Sequence, residues 1–322
     1  MRPALILACL IGSPALADVP QTVANHILPG YAAFAAASQA LADAAARDCS
    51  ADALQLPFNS AYDAWLGVEH LRFGPVEEDG LDQSIVFWPD PSGSGAKAQL
   101  ALLTGDPALL EPGAFALQSV AARGLTGLER LLYPAATLPA DPCALIRATA
   151  TDLAATARKV DDAWVASYAQ TVLTAGEAGN KTYLTASEAR QILFTQVVNG
   201  LEFTLDDRLG RPLGTFDAPH PELAEAVASG RSLINIRVSL RALQAMVQTL
   251  TPDVPLTMAA FDRAIRLADA LNDPVLSGVD DPQGRLKVEI LQQAIDAVKD
   301  TAVAELGPKL QVGEGFNAAD GD

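Results

Sequence analysis

The chain has 322 residues, 22 Lys and Arg against 39 Asp and Glu, half of its residues apolar and only 6% aromatic. Such a length makes one large or two medium domains, and the apolar content is ample for a core, which excludes a disordered solvating tail. A formal charge of −17 without any run of Lys or Arg excludes nucleic acid as a partner and favours cations weakly, because acidity is also the ordinary route to solubility.

In chain order, the first segment reads as an export signal. Arg2 supplies the positive end, Ala4 to Gly12 is apolar, and Ser13-Pro14-Ala15-Leu16-Ala17 ends in a small-x-small pattern, so cleavage is expected after Ala17 and the protein in the periplasm. No later apolar run reaches the roughly 18 residues a membrane span needs. Cys49 and Cys143 then remain. In an oxidising compartment they are disulfide candidates, closing a loop of about 95 residues worth roughly 4 kcal/mol, and two separate buried thiols are the alternative.

Alanine and leucine dominate and apolar positions recur at helical spacing, so the expectation is an all-α protein of two helical-bundle subdomains with long irregular loops. Phe58, Tyr62, Trp65 and Leu66 form one stripe; Leu117, Ala121, Gly124, Leu128 and Leu131 form another. Between them, residues 74–112 are rich in Pro and Gly and read as a functional or poorly ordered loop. Leu153, Val160, Trp164, Tyr168 and Val172 mark a long helix from near Pro142 to Gly176, where an N-terminal bundle (18–176) gives way to a C-terminal one (177–322). Thr185 and Glu188 form a capping box for a helix running to Leu209. Further helices are expected from about Pro221, with a break at Gly230, to Leu250; over Thr257–Leu271; and over Pro282–Leu306, with Gly307 as the stop.

Three carboxylate positions stand out. Glu69 falls on the buried stripe of Phe58, Tyr62 and Trp65, so an inward charge needs a partner; Arg72 at i+3 is one, and a cation ligand in a cleft is the functional alternative. His70 lies about 100° away and reads as a surface or capping group. Glu129 shares a helix with Gly124 and Gly127, two residues that each cost about 1 kcal/mol in a helix interior and so imply close packing or close approach of a ligand. Glu202 and Asp206 stand at i and i+4, with Asp207 and Arg208 beside them, and read as solvated charge rather than a shared cation site. Histidines occur only at 26, 70 and 220, none spaced as in His-Glu-x-x-His, and nucleophile-elbow, phosphate-loop and haem-attachment motifs are missing.

Taken together, Trp65 through Arg72-Phe73-Gly74-Pro75, Phe87-Trp88-Pro89-Asp90, Ala122-Arg123-Gly124-Leu125-Thr126-Gly127-Leu128-Glu129, and Gly315-Phe316-Asn317 with Asp320-Gly321-Asp322 give a chain that resembles the imelysin-like proteins, a bacterial cell-envelope family classed with peptidases and linked to iron uptake. The resemblance covers most of the chain after the signal. It implies two helical bundles with a functional cleft between them and a metal-binding Gly-x-His-x-x-Glu. Here the histidine position is Thr126, whose hydroxyl is a far poorer transition-metal ligand, so a site would be rebuilt from oxygens such as Glu129 and Glu69 and would suit iron or another hard cation. The expectation is therefore a periplasmic binding protein of iron acquisition, leaning away from catalysis. Glu129 and Glu69 face a metal ion or iron complex, Arg72, Trp88, Thr126 and Gly124 line the ligand site, and other envelope iron-transport components are partners. A metal-dependent peptidase with Glu129 as ligand or base, and a non-catalytic interaction module using residues 74–112, are the alternatives.

Overall fold

The computed structural model describes residues 18–313; the expected signal segment and the pieces of the resemblance from Gly315 onward lie outside them. Among the described residues the protein is helical, with a single isolated bridge, Thr215 to Ala218, and no strand. The longer α-helices are α1 (Leu28–Arg47), α2 (Ala51–Leu66), α3 (Ser94–Thr104), α4 (Gly124–Leu132), α5 (Cys143–Ala163), α6 (Ala186–Glu202), α7 (Ser232–Leu250), α8 (Pro255–Ala270) and α9 (Pro282–Thr301).

Helices α1, α2, α4 and α5 pack on one another, as do α6, α7, α8 and α9; α2 and the short helix Val19–Thr22 lie against α7. Tyr31, Phe34, Phe58, Tyr62 and Trp164 are wholly or almost wholly buried, so the few aromatic residues fill the centre and the small alanines fill the helix contacts between them. The Cys49 and Cys143 sulfurs are bonded, with Cα atoms 5.5 Å apart, fastening the start of α2 to the start of α5. No described helix is long and apolar enough to cross a membrane.

Helix ends follow the chain's polar punctuation. Thr185 accepts from the Glu188 N–H at 3.3 Å, and Glu188 Oε2 accepts from the Leu184 N–H at 2.6 Å, one position earlier than in a reciprocal capping box. Asp281 caps α9 by accepting from the Gln283 and Gly284 N–H groups. Asp90 does the same for α3, taking hydrogen bonds from the Ser94 and Gly95 N–H groups, and this cap turns part of the expected 74–112 loop into an eleven-residue helix.

Other expectations are corrected. Leu117 is 85% exposed and the Leu117–Leu131 stripe becomes helical only from Gly124, after a 3₁₀ turn at Val120–Ala122. Residues 224–231 are not helical; Ala226 and Gly230 take positive φ there, and this irregular strap proves central to the site. Gly307 is no stop, for helix continues to Leu310.

Among the described residues, four π-helical segments interrupt the long helices, at Val23–Ile27, Trp164–Tyr168, Phe203–Gly210 and Ala302–Leu306. Each π turn holds more residues than an α turn and so rotates the side chains beyond it relative to a 3.6-residue count. The Phe203–Gly210 segment extends α6 in this way, and two of the four segments carry residues of the site.

Candidate functional site

The turn that closes α2, residues 67–72, faces the Phe203–Gly210 π segment across a cavity of about 380 Å³. Glu69, His70, Arg72, Asn199, Phe203 and Arg208 all line it. Arg208 is 2% exposed, on the same buried face as Leu201, Thr204 and Leu205, which corrects its reading as solvated charge. Asp206 stays exposed, Asp207 pairs with Arg211 at 2.7 Å, and Glu202 stands 3.7 Å from Lys299, while all three also line this cavity.

Arg208 is the hub of a buried network. Its Nη2 donates to Glu69 Oε2 at 2.6 Å, its Nε to Glu225 Oε2 at 2.7 Å, and its Nη1 to Ser239 Oγ at 2.8 Å. Glu225, 1% exposed, also accepts from Asn235 Nδ2 at 2.9 Å and from the Tyr62 hydroxyl at 3.3 Å. Burial alone would lower the Arg208 pKa, but Glu225 and Glu69 outweigh it and hold the guanidinium charged. Burial raises the Tyr62 phenol well above its ordinary range, and Glu225, Glu129 and Glu69 add to that, so one hydroxyl feels all three carboxylates.

Arg72 is thus not the main partner of Glu69. Its Nη2 stands 3.9 Å from Glu69 Oε1, and its side chain is 45% exposed. Glu69 Oε1, buried, has no hydrogen-bond donor, and neither has the buried Oδ1 of Asn199 on the same cavity. Phe203 lies between guanidinium and indole groups: Arg72 and Arg208 are each 4.9 Å from its ring centre, and Trp88 meets it edge-on at 6.0 Å. Trp88, Arg72 and Phe87 line a smaller adjoining pocket.

The Gly124–Glu129 stretch is arranged differently. Gly124 has φ +66°, and a Cβ there would run into the carbonyl oxygens of Ser84 and Ile85, so close backbone approach rather than a ligand accounts for this glycine. The Phe87 N–H donates to the Thr126 hydroxyl at 3.2 Å. Glu129 Oε1 accepts from Ser229 N at 2.9 Å and Ser229 Oγ at 2.7 Å. Burial raises the Glu129 pKa, the Ser229 hydrogen bonds work against it, and Glu225 reinforces it. Among the described residues no three or more His, Cys, Asp or Glu side chains are placed to share a metal ion.

His70 is buried, not a surface group, and its Nε2 lies 3.0 Å from Nε2 of His26 on the Val23–Ile27 π turn. Burial pulls His26 down to about 4 and His70 well below its ordinary value, the latter helped by His26, so both rings are neutral at neutral pH.

Sequence reasoning missed Arg208, Asn199, Glu225, Ser229 and the pairing of His26 with His70. Glu225 had one signal, a charge set between Ala224, Ala226 and Val227 in an apolar run. Arg208 had one as well, seven residues from Leu201 and three from Leu205 on an apolar stripe.

A family model described as imelysin matches residues 27–302. The iron-regulated protein A of Synechococcus elongatus is 24% identical, with 88% of this chain and 84% of that protein covered. An imelysin-like protein from Psychrobacter arcticum superposes with a TM-score of 0.78 at 20% identity, covering 92% of this chain and 96% of that one. A protein described as an iron-regulated protein A precursor, from Parabacteroides distasonis, gives 0.67 at 14% identity over 90% and 97%. At such identities these two solved structures speak for the fold alone.

Proposed function

The chain belongs to the imelysin family, and from that premise we propose that it is a periplasmic binding protein of iron acquisition, exported by cleavage after Ala17, that holds a cationic iron species as cargo in the cavity between residues 67–72 and the Phe203–Gly210 segment. On this reading the bundles 18–176 and 177–322 meet at that cavity. One observation carries the proposal: Glu69 Oε1 and Asn199 Oδ1 are buried acceptors on one cavity, and neither has a donor. An unpartnered buried acceptor costs about 1–3 kcal/mol, more when charged, and a cation or a hydrated cation removes that cost on binding. Oxygen acceptors suit a ferric ion or another hard cation. An iron-regulated relative agrees with this cargo.

The residues then have separate roles. Glu69 meets the cargo, held in place through its other oxygen by Arg208. Arg72 and Trp88 form the rim with Phe203 and contact an anionic chelator when iron arrives as a complex. Glu129 lies farther along the buried network, adding negative potential around Tyr62 rather than a ligand atom, while Gly124 and Thr126 hold the frame. Other envelope iron-transport components receive the cargo.

Calorimetric titration of the exported chain with ferrous iron, ferric citrate and zinc tests this. At least one iron form is expected to bind, and Glu69→Gln to weaken it by tenfold or more, about 1.4 kcal/mol. Absence of binding by every iron form to folded protein overturns the proposal.

A further inference from the structure

Apart from the carboxylate network, the fold brings together two of the chain's three histidines from positions 44 residues apart. We propose that His26 and His70 form a two-imidazole site for a borderline transition-metal ion of the copper(II), nickel(II) and zinc(II) class, opening into the cavity that Glu69 lines. It goes beyond the iron reading and does not rest on it, because its ligand atoms are nitrogens of other residues.

Geometry comes first. An ion about 2.0–2.1 Å from each imidazole nitrogen holds two neighbouring ligand nitrogens about 2.9 Å apart at a right angle and about 3.3 Å apart at the tetrahedral angle. The two Nε2 atoms stand 3.0 Å apart, inside that range, with the rings tilted by 40°. Little movement is then needed to seat an ion between them.

The pair is also built rather than incidental. His26 sits on a π turn, a local departure that re-aims side chains. His70 is admitted by Gly200, where a Cβ would come within 3.0 Å of the His70 Cβ and 2.8 Å of Leu243, so a larger residue would crowd the imidazole. Both devices act on these two side chains from different parts of the chain.

Access and coordination follow from the cavity. His70 lines it and His26 is half-buried, so the pair lies at the edge of the cavity. Among the described residues no third His, Cys, Asp or Glu completes the set, so waters fill the other positions, and Glu69 Oε1 and Asn199 Oδ1 are acceptors for their protons. A site with two protein ligands and exchangeable waters suits capture and release. Imidazole favours copper, nickel and zinc over magnesium and calcium, with copper(II) at the top of the stability order.

The ion-free pair is a single N–H to N hydrogen bond, one ring donating and the other accepting. On metal binding the donor ring carries its proton on Nδ1 instead, so both Nε2 lone pairs face the ion and the pair releases no net proton.

Copper(II) added to the exported chain, followed by electron paramagnetic resonance, tests the site. One equivalent should bind with hyperfine coupling to two nitrogens. His26→Gln and His70→Gln should each weaken binding by more than the roughly 10- to 100-fold that loss of an outer partner costs. His220→Gln, at the exposed third histidine, should leave the signal unchanged. If His70→Gln fails to fold, the half-buried His26 decides alone. Glu69→Gln separates the two readings: it should weaken iron binding by tenfold or more and keep the two-nitrogen copper signal, and iron binding unchanged by Glu69→Gln counts against the iron reading only. Coupling to fewer than two nitrogens, or a copper spectrum unchanged in His26→Gln, overturns the His26–His70 site.

Discussion

The Gly124–Glu129 stretch and the cavity around Glu69 both hold buried polar side chains, yet they spend them in opposite ways. Along the first, hydrogen bonds close within the chain: Arg123 forks onto Asp152 at 2.8 and 3.0 Å, Thr126 takes the Phe87 N–H, and Glu129 takes both donors of Ser229. Around the cavity, all three nitrogens of Arg208 have acceptors, but Glu69 Oε1 and Asn199 Oδ1 have no donor. Satisfied polar groups make a frame, and unsatisfied ones facing a cavity make a receptor. In this chain the polar groups of Gly124–Glu129 are paired within the fold, whereas the two open acceptors lie on the turn after α2 and on α6.

The sharpest way to break that contrast is Arg208→Ala. It leaves Glu69 and Glu225 buried without their common cation and should cost about 3–5 kcal/mol in chemical denaturation. Opening the Cys49–Cys143 bond by Cys49→Ser with Cys143→Ser should cost about 2–5 kcal/mol while leaving ligand titrations at the cavity unchanged, since the bond ties the α2–α5 end near α4 and not the cavity. Gly124→Ala should cost about 2 kcal/mol, because φ is positive and Ser84 and Ile85 must move aside. Thr126→Val removes the acceptor for Phe87 N–H and should cost about 1 kcal/mol, read as a lower melting temperature with iron binding intact. Smallest at neutral pH is His26→Gln. His26 titrates near 4 in the folded chain and near 6.5 unfolded, so the unfolded state takes up its proton first as pH falls. Stability is full above pH 6.5 and declines toward pH 4; His26→Gln should flatten that decline in pH-dependent melting curves.

Much of the frame was legible in the residues. The stripes of α2 and α5, the Thr185 cap and the Asp281-Pro282 start depend on neighbours within one helical turn, which a periodicity count captures. The inward position of Glu69 was legible for the same reason. Its true partner was not: Arg208 lies 139 positions away, and although it shares the buried stripe of Leu201, Thr204 and Leu205, spacing within one helix does not say which distant carboxylate it meets. The strap 224–231 has helical composition but a positive φ at Ala226, and it is tertiary contact with Arg208 and Glu129 that holds Glu225 and Ser229 there. The His26–His70 contact carries no spacing signal, because it joins two elements at long range.

The π segment at Phe203–Gly210 has a consequence for how this lineage can change. A π turn holds about one residue more than an α turn, so deleting one residue there and relaxing the segment to α would leave the helix beyond it close to its present facing. A one-residue deletion in the α-helical part of α6, with no such turn to absorb it, would instead rotate Arg208 by about 100° away from Glu69 and Glu225 without any substitution at the three residues. The π segment is thus the place where this helix can gain or lose a residue and keep its buried network, and the rest of α6 is not.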